Sequence, residues 1–548
     1  MSDNRPQNSN FIVQGGILAA AGIISRIIGF IYRIPLQNTI GDAGMGYYSA
    51  AFQIYSIMLI ISSYSLPVAV SKLVAARAAK GQFRNARRFF HGALLFATIT
   101  GGATCLVVLF GADKLAGNVM SMPKSAIALR MLAPTLLIVA LMGVIRGYFQ
   151  GLGTMVPTAF SQLIEQIVNA VISIAAGVYL FEYGKNVAAL LHDDDFAPAW
   201  GAAGGTVGTG AGALSGLLVL LIMFLVHKRK MKKNIVRDSA KYVDSYGRIF
   251  SAILITVLPV ILSTTIYNIS DTIDQGLFNF VMDAKGFSSI KAEYWGIYAG
   301  KYRVLTNVPI ALANALCSSM MPSLAACIEN KDRKLARHKV AIGTRFVMVI
   351  SIPCAMALAI LGRPLISLMF TGEVDIPAKL LMMGSASVIF YSLSTLSNGV
   401  LQGIDKMRIP VRNAAIALVL HLGILYLTIS VLDWKLYGVV VSCMAFGLLM
   451  CILNWVSIAK HLRYHQEVRR TFVIPLISSI VMGGVIWLLN FILSKSSTEL
   501  VSVLISSVVG IIVYFVVLLL LRGVRESEIR SLPGGGAFVA VFKLFRLL

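Results

Sequence analysis

Charged residues are scarce in this sequence. Only 13% of its 548 residues are Asp, Glu, Lys or Arg, while 57% are hydrophobic. Soluble domains carry about 25% charged residues, so the composition excludes a soluble globular protein. Apolar runs long enough for a transmembrane helix recur along the chain, and they lack the short alternating segments of membrane β-strands. We therefore predict an all-α polytopic membrane protein.

Cysteine and histidine are also few and dispersed. The six cysteines form no CxxC pair, and none of the seven histidines lies beside a candidate nucleophile. This pattern predicts neither a disulfide framework nor a metal site. The acidic run HDDD at 192–195 could bind a metal or serve as a base, but a solvated outer loop is the favoured interpretation. We predict that the chain is not an enzyme and has no cofactor.

The apolar runs predict fourteen transmembrane helices. Their approximate limits are 11–35, 46–71, 91–112, 127–146, 158–181, 201–226, 249–281, 294–321, 340–361, 380–401, 413–431, 436–458, 472–494 and 500–521. The first run ends without a small-residue cleavage site, which indicates that it stays in the membrane.

Acidic residues are half as numerous as basic ones, 24 against 48, which gives a formal net charge of +24. Nearly all basic clusters fall in alternate loops, the largest being HKRKMKKNIVRDSAKYVDSYGR at 227–248. The positive-inside rule then places these loops and both termini in the cytoplasm. We predict that the protein lies in the plasma membrane. The excess charge is therefore a topology signal, aided by anionic membrane lipids, and we predict no nucleic-acid partner.

Two stretches of the chain repeat. Residues 46–88 match 296–338 at a constant shift of 250, and GYFQGLGTM at 147–155 matches GVLQGIDKM at 399–407 at a shift of 252. Each copy holds six predicted spans, an even number, so both copies have the same orientation in the membrane. Parallel repeats of this kind occur in transporters, related by an axis along the membrane normal.

The repeat predicts the domain organisation. We expect two parallel-repeat six-helix lobes around a central cavity, plus a two-helix extension, in a monomer. The predicted segments are an N-lobe at 1–226, a basic cytoplasmic linker at 227–248, a C-lobe at 249–466, and spans 13 and 14 with a cytoplasmic tail at 467–548.

Charged and polar residues inside the predicted spans mark a candidate site. Ionisable groups at membrane depth usually face a bundle interior or a water-filled cavity, so we predict that these residues line the cavity between the lobes. The cations are Arg26, Arg33, Arg303 and Lys301, and the acidic and amide residues are Glu165, Asn268, Asp271 and Asp274.

Three alternatives stay open for this set. The residues could instead form internal ion pairs that fix helix packing. Arg33 lies close to Pro35 and could extend to the outer interface. Lys301 is two residues from Arg303 and should point elsewhere in a regular helix.

Three motifs resemble the MOP exporter superfamily. They are SRIIGF at 25–30, YFQGLGTMVP at 148–157 and MMPSL at 320–324. The branch they resemble holds the lipid II flippases and the stage V sporulation protein B-like polysaccharide exporters. The resemblance implies that Arg26 and Arg303 are the cavity arginines of the two lobes. The family's other first-helix arginine falls at Tyr32, beside Arg33.

The resemblance implies a flippase for a polyprenyl-pyrophosphate-linked saccharide, above all lipid II, working by alternating access. Arginine binds phosphate oxygens bidentately and stays charged, which suits a cationic cavity to a pyrophosphate. Asp271 or Asp274 could couple transport to Na⁺ or H⁺, and the membrane potential could contribute. Two alternatives are a cation-coupled multidrug antiporter, which an acidic cavity would favour, and a membrane enzyme using the HDDD run.

Overall fold

The structure is a computed structural model, and it describes residues 5–236, 238, 244–495 and 497–524. All regular secondary structure in these ranges is helical. The α-helices are α1 Arg5–Ile31, α2 Arg33–Leu59, α3 Leu66–Ala78, α4 Phe83–Lys114, α5 Ala126–Gly151, α6 Val156–Leu191, α7 Phe196–Val236, α8 Tyr246–Ala284, α9 Lys291–Gly296, α10 Arg303–Glu329, α11 Arg333–Ile360, α12 Gly362–Met369, α13 Asp375–Gly384, α14 Ala386–Gly403, α15 Arg408–Tyr426, α16 Lys435–Leu462, α17 Ile474–Leu493 and α18 Glu499–Leu520. Short π-helical turns extend several of them, at Ile60–Tyr64, Leu115–Val119, Ile297–Tyr302, Leu427–Val431 and Arg469–Val473.

Ten helical stretches in the described part of the chain are long and apolar enough to cross a membrane, and α13 with α14, bent by 49°, raises the number to eleven. The chain is thus an all-helical multi-pass membrane protein, as the composition predicted. The remaining predicted spans, 11–35, 249–281 and 294–321, fall on α1, α8 and α10. These helices carry most of the polar residues predicted for the site, which lowers their apolar character. The count of fourteen stays a prediction.

The first two helices meet at Tyr32, ahead of the interval 36–45 that separates the first two predicted spans. Tyr32 separates α1 from α2 but keeps helical dihedral angles, φ −72° and ψ −20°. The interruption has a chemical cause, because Pro35 has no N–H to donate to the carbonyl of Ile31. The true bend comes later, at Gly41, whose φ of +73° lies in the left-handed region that favours glycine.

Two compact units make up the fold, Met1–Gly300 and Lys301–Leu548. Helix α8 therefore belongs to the first unit by its contacts. The start of α8 is fixed there, because the backbone N–H of Asp244 donates to Asn85 Oδ1 at 2.9 Å and Arg77 pairs with the Asp244 carboxylate at 3.2 Å. The division into lobes at 1–226 and 249–466 stays a prediction.

Helix boundaries recur at the spacing of the sequence repeat. The matching ends are Ala78 with Glu329 and Gly151 with Gly403, and the matching starts are Phe83 with Arg333 and Val156 with Arg408. Equivalent residues of the two sequence copies thus begin and end the same helices.

Equivalent glycines also make equivalent helix crossings within each unit. A Cβ at Gly147 in α5 would overlap the backbone of Pro67 in α3, and a Cβ at Gly399 in α14 would overlap Cys317 in α10. Residues 67 and 317 differ by the repeat shift of 250. Glycine permits this close approach because it has no side chain to separate the backbones.

Candidate functional site

Arg26 lies on a helix that packs along α6. Near the start of α1, Gln14 Oε1 accepts a hydrogen bond from the backbone N–H of Met155 at 2.7 Å. Ser25 is buried, whereas the next residue, Arg26, is exposed. Within the described ranges, Arg26 makes no hydrogen bond or ion pair to the protein. Its guanidinium is therefore available to an anionic ligand.

Arg33 has a different environment from Arg26. It is half-buried at the start of α2 and lies within electrostatic range of the hydroxyl of buried Tyr48. The two arginines thus lie on either side of the α1–α2 junction at Tyr32. A cavity role for Arg33 stays a prediction.

Glu165 contacts a cation that sequence reasoning missed. Arg146 Nη2 lies 2.7 Å from Glu165 Oε2, and Arg146 Nε donates to Ser161 Oγ at 3.1 Å. Both charged side chains are mostly buried, with exposed fractions of 16% for Arg146 and 20% for Glu165. The sequence signal for Arg146 is its position as the last residue of the apolar run 127–146.

Polar residues of α6, which form a polar stripe along the helix, continue on both sides of this ion pair. Gln150 donates to Thr158 Oγ1 at 3.4 Å, and Ser173 donates to Asn169 Oδ1 at 2.9 Å. Asn169 and Ser173 are both buried. The stripe therefore meets α5 and α7 inside the first unit and does not face lipid.

The polar residues of α8 divide into exposed and buried groups. Asn268 is exposed, and its amide donates to Thr264 O on its own helix at 2.8 Å. Asp271 is half-buried, while Asp274 has an exposed fraction of only 3%. Asn279, which sequence reasoning did not single out, donates to Met120 O at 2.7 Å. The end of α8 is thereby fixed to the loop after α4.

A seam of glycines joins α2 to α9 and the π-helical turn that follows it. A Cβ at Gly296 would overlap Asp42 O, one at Gly46 would overlap Ala292 O, and one at Gly300 would overlap the Gln37 amide. Gly46 and Gly296 are paired positions of the sequence repeat, and here they lie against each other. The backbones of the two segments are therefore in direct contact.

Lys301 is fully buried, with an exposed fraction of 0%. Its Nζ donates to the backbone carbonyls of Thr371 at 3.0 Å and Glu373 at 2.9 Å, in the loop between α12 and α13. Arg303, two residues later, is half-buried at the start of α10. The ammonium of Lys301 thus fixes a loop of the second unit, and a phosphate contact for Lys301 stays a prediction.

Replacing Lys301 with Met is expected to lower the free energy of unfolding by about 1–3 kcal/mol, because two backbone carbonyls lose a charged donor. Thermal unfolding in detergent measures the change. Lys334→Met, at an exposed position of α11, is the matched control and should leave stability unchanged. If Lys301→Met is as stable as the wild type but no longer binds a lipid diphosphate, Lys301 instead contacts the ligand directly.

The HDDD run is held by a lysine from the α4–α5 loop. Lys124 Nζ lies 2.5 Å from Asp193 Oδ1 and 3.0 Å from Asp195 Oδ2. The hydrogen bond from Lys124 holds the pKa of the Asp193 carboxyl below its ordinary value. No group of three or more His, Cys, Asp or Glu residues in the described ranges could hold a metal ion. The run therefore serves here as a loop anchor.

This anchor should be sensitive to acid. Because the folded-state pKa of Asp193 is lowered, its contribution is complete above about pH 4, the range of a free Asp, and is lost as the pH falls through the folded value. Amide hydrogen exchange of residues 192–196, corrected for intrinsic rates, should be faster at a pH below the folded-state pKa of Asp193 than it is above about pH 4. Asp193→Asn should give fast exchange at every pH. Asp194→Asn, at the exposed neighbour, should behave like the wild type, and loss of protection in both variants would contradict the assignment.

Comparison with known proteins decides the family. The model of the polysaccharide biosynthesis protein family matches residues 13–328. The chain belongs to this family. A second family model, MatE, matches residues 304–427.

Relatives of this family member match along almost its whole length. It is 25% identical to the lipid II flippase MurJ of Bacillus subtilis over 94% of this chain and 96% of that protein. It is 22% identical to stage V sporulation protein B of the same organism, with the same coverage of each chain. A solved structure of lipid II flippase MurJ in an inward closed conformation has a TM-score of 0.67 at 16% identity, covering 91% of this chain and 97% of that one.

These similarities confirm the family predicted from the motifs. The chain is a member of the MOP superfamily, in the branch that resembles the lipid II flippases. The structural match establishes the fold and leaves the roles of individual residues to experiment.

Proposed function

We propose that the chain flips a polyprenyl-pyrophosphate-linked saccharide, with lipid II as the first candidate, from the inner to the outer leaflet of the plasma membrane. The observation that carries the proposal is the similarity to a lipid II flippase along nearly the whole of both chains. The fold supports it, because an all-helical multi-pass protein offers a path for a polar head group while the lipid tail stays in the bilayer.

Arg26, Arg33 and Arg303 are the proposed binding groups for the pyrophosphate. The exposed guanidinium of Arg26 and the half-buried ones of Arg33 and Arg303 support this assignment. Arginine donors match phosphate oxygens in pairs and keep their charge in a site of low polarity. No catalytic step is required, since flipping makes and breaks no covalent bond.

The proposed mechanism is alternating access between lobes at 1–226 and 249–466 in a monomer with both termini in the cytoplasm. An inside-negative potential favours outward movement of anions by about 2.3 kcal/mol per charge for each 100 mV. Buried Asp274 and half-buried Asp271 on α8 are the proposed groups for coupling to Na⁺ or H⁺.

A cation-coupled multidrug antiporter is the second candidate, favoured by the match of the MatE model to residues 304–427. The two functions need opposite charges on the ligand. A flippase should bind an anionic lipid diphosphate, and an antiporter should bind an organic cation and exchange it for H⁺ or Na⁺.

The decisive experiment depletes the protein in its own cell and identifies the lipid-linked intermediate that accumulates on the inner leaflet. Purified protein in liposomes should then flip that intermediate. Uptake of a fluorescent organic cation driven by an ion gradient, with no movement of the lipid, would replace the proposal by the antiporter.

A further inference from the structure

The ion pair of Arg146 and Glu165 is monodentate and leaves one donor and one acceptor without a protein partner in the described ranges. It rests on a single contact, Nη2 to Oε2 at 2.7 Å, while Nε is occupied by Ser161. Within the described ranges, Arg146 Nη1 and Glu165 Oε1 have no hydrogen-bond partner. A strong structural pair would be bidentate, with its remaining donors and acceptors bonded. A buried pair made by one contact is weak support for a fold.

The second copy of the repeat builds the same place without charge. At the shift of 252, Arg146 and Ser161 correspond to Asn398 and Asn413, and Glu165 corresponds to Ala417. Asn398 and Asn413 are both bonded to buried Asn454, which donates to Asn398 Oδ1 at 2.7 Å and accepts from Asn413 Nδ2 at 2.9 Å. Neutral amides therefore satisfy this helix junction in the second unit.

Because the fold does not need an ion pair at this junction, the charges in the first unit call for another explanation. From these observations we propose that Arg146 is a further binding group for the phosphate of the transported lipid, and that Glu165 is a placeholder anion that the phosphate displaces. The inference rests on the proposed function, since it takes a lipid diphosphate as the ligand.

The chemistry of the two groups fits this exchange. Glu165 neutralises Arg146 in the empty protein, which avoids an uncompensated charge inside the bundle. Ser161 holds the Nε edge of the guanidinium, so its Nη atoms keep a fixed direction. A phosphate oxygen pair can then bind Nη1 and Nη2 together, which replaces one charge-assisted contact by two. Release of the lipid is assisted when Glu165 returns to the guanidinium.

Binding of undecaprenyl diphosphate to the purified protein tests the proposal, with undecaprenol as the uncharged control. Arg146→Gln should weaken the affinity by about tenfold or more, the effect of losing hydrogen bonds from a charged group. Glu165→Gln should strengthen it by a factor of about three to ten, because the phosphate no longer competes with a carboxylate. A purely structural ion pair predicts that both variants weaken binding and lower stability alike.

Two controls separate the outcomes. Arg130→Gln removes an exposed arginine of the same helix that pairs with Asp113, and it should leave binding unchanged. If Arg146→Gln does not fold, Arg146→Lys keeps the charge that neutralises Glu165 but loses the paired Nη donors, so it should fold and bind undecaprenyl diphosphate less tightly than the wild type. If the wild type binds undecaprenyl diphosphate and Arg146→Gln and Glu165→Gln lose affinity equally, the role proposed for Arg146 and Glu165 is overturned and the proposed function still stands. Failure of the wild-type protein to bind undecaprenyl diphosphate overturns the proposed function.

Discussion

Arg26→Ala is expected to reduce lipid flipping to background while the protein still inserts and folds. Arg26 is exposed on α1 and makes no polar contact within the described ranges, so its removal breaks no internal bond. Losing hydrogen bonds from a charged group removes about 1.5–3 kcal/mol of binding free energy, roughly a tenfold to hundredfold loss of affinity. Flipping of a labelled lipid-linked saccharide in proteoliposomes measures the effect.

Two controls test whether the effect depends on the paired donors of arginine and on the position of Arg26. Arg26→Lys keeps the charge but loses the paired donors, so it should retain partial activity. Arg363→Ala removes an exposed arginine that pairs with Asp375 in the second unit, and it should flip at the wild-type rate. Arg303→Ala should behave as Arg26→Ala does. Full activity in both cavity variants would remove the arginines from the proposed function.

Gly296→Val is expected to disrupt the first unit, with a loss of unfolding free energy of about 3 kcal/mol or more. Any side chain at Gly296 overlaps the carbonyl oxygen of Asp42 and approaches the backbone of Gly46. Backbone atoms cannot rotate away as a flexible side chain can, so the two segments must separate. Overpacking a close contact typically costs about 1–3 kcal/mol and more when no neighbour can move. Thermal unfolding in detergent measures the loss.

A glycine in open space gives the matched comparison. Gly102 lies in α4, and a Cβ there would have no atom within 4 Å. Gly102→Ala should therefore stay within about 1 kcal/mol of the wild type, on the stabilising side, because alanine favours a helix. Equal stability of Gly296→Val and Gly102→Ala would mean that α2 and α9 do not pack through this seam.

Much of the fold followed from composition and periodicity. Long apolar runs require helices in a membrane, because every backbone N–H and C=O must be bonded within its own segment. For this reason the runs at 413–431 and 436–458 became α15 and the major part of α16. The bend falls at Gly41, inside the interval 36–45 between the first two predicted spans, but its exact place depends on one left-handed residue whose conformation no periodic pattern reports.

The candidate site was less accessible to prediction. The position of Glu165 inside a predicted span marked it as a candidate, but the sequence could not supply its partner, which comes from α5. Nor could it separate Lys301 from Arg303 with certainty, since their surroundings depend on a π-helical turn and on a loop about 70 residues away in sequence. Pairings of this kind arise between segments, and a single segment does not encode them.

The amino-acid sequence alone determined the class of the protein, its family motifs and the approximate position of most of its spans, because these depend on the preference of each segment for lipid or water. Only the tertiary structure decided which charges have partners. It left Arg26 accessible, occupied the ammonium of Lys301 with backbone carbonyls, and joined Arg146 to Glu165. The physical reason is that an ion pair requires two side chains to meet within a few ångströms, and that distance is set by how helices pack.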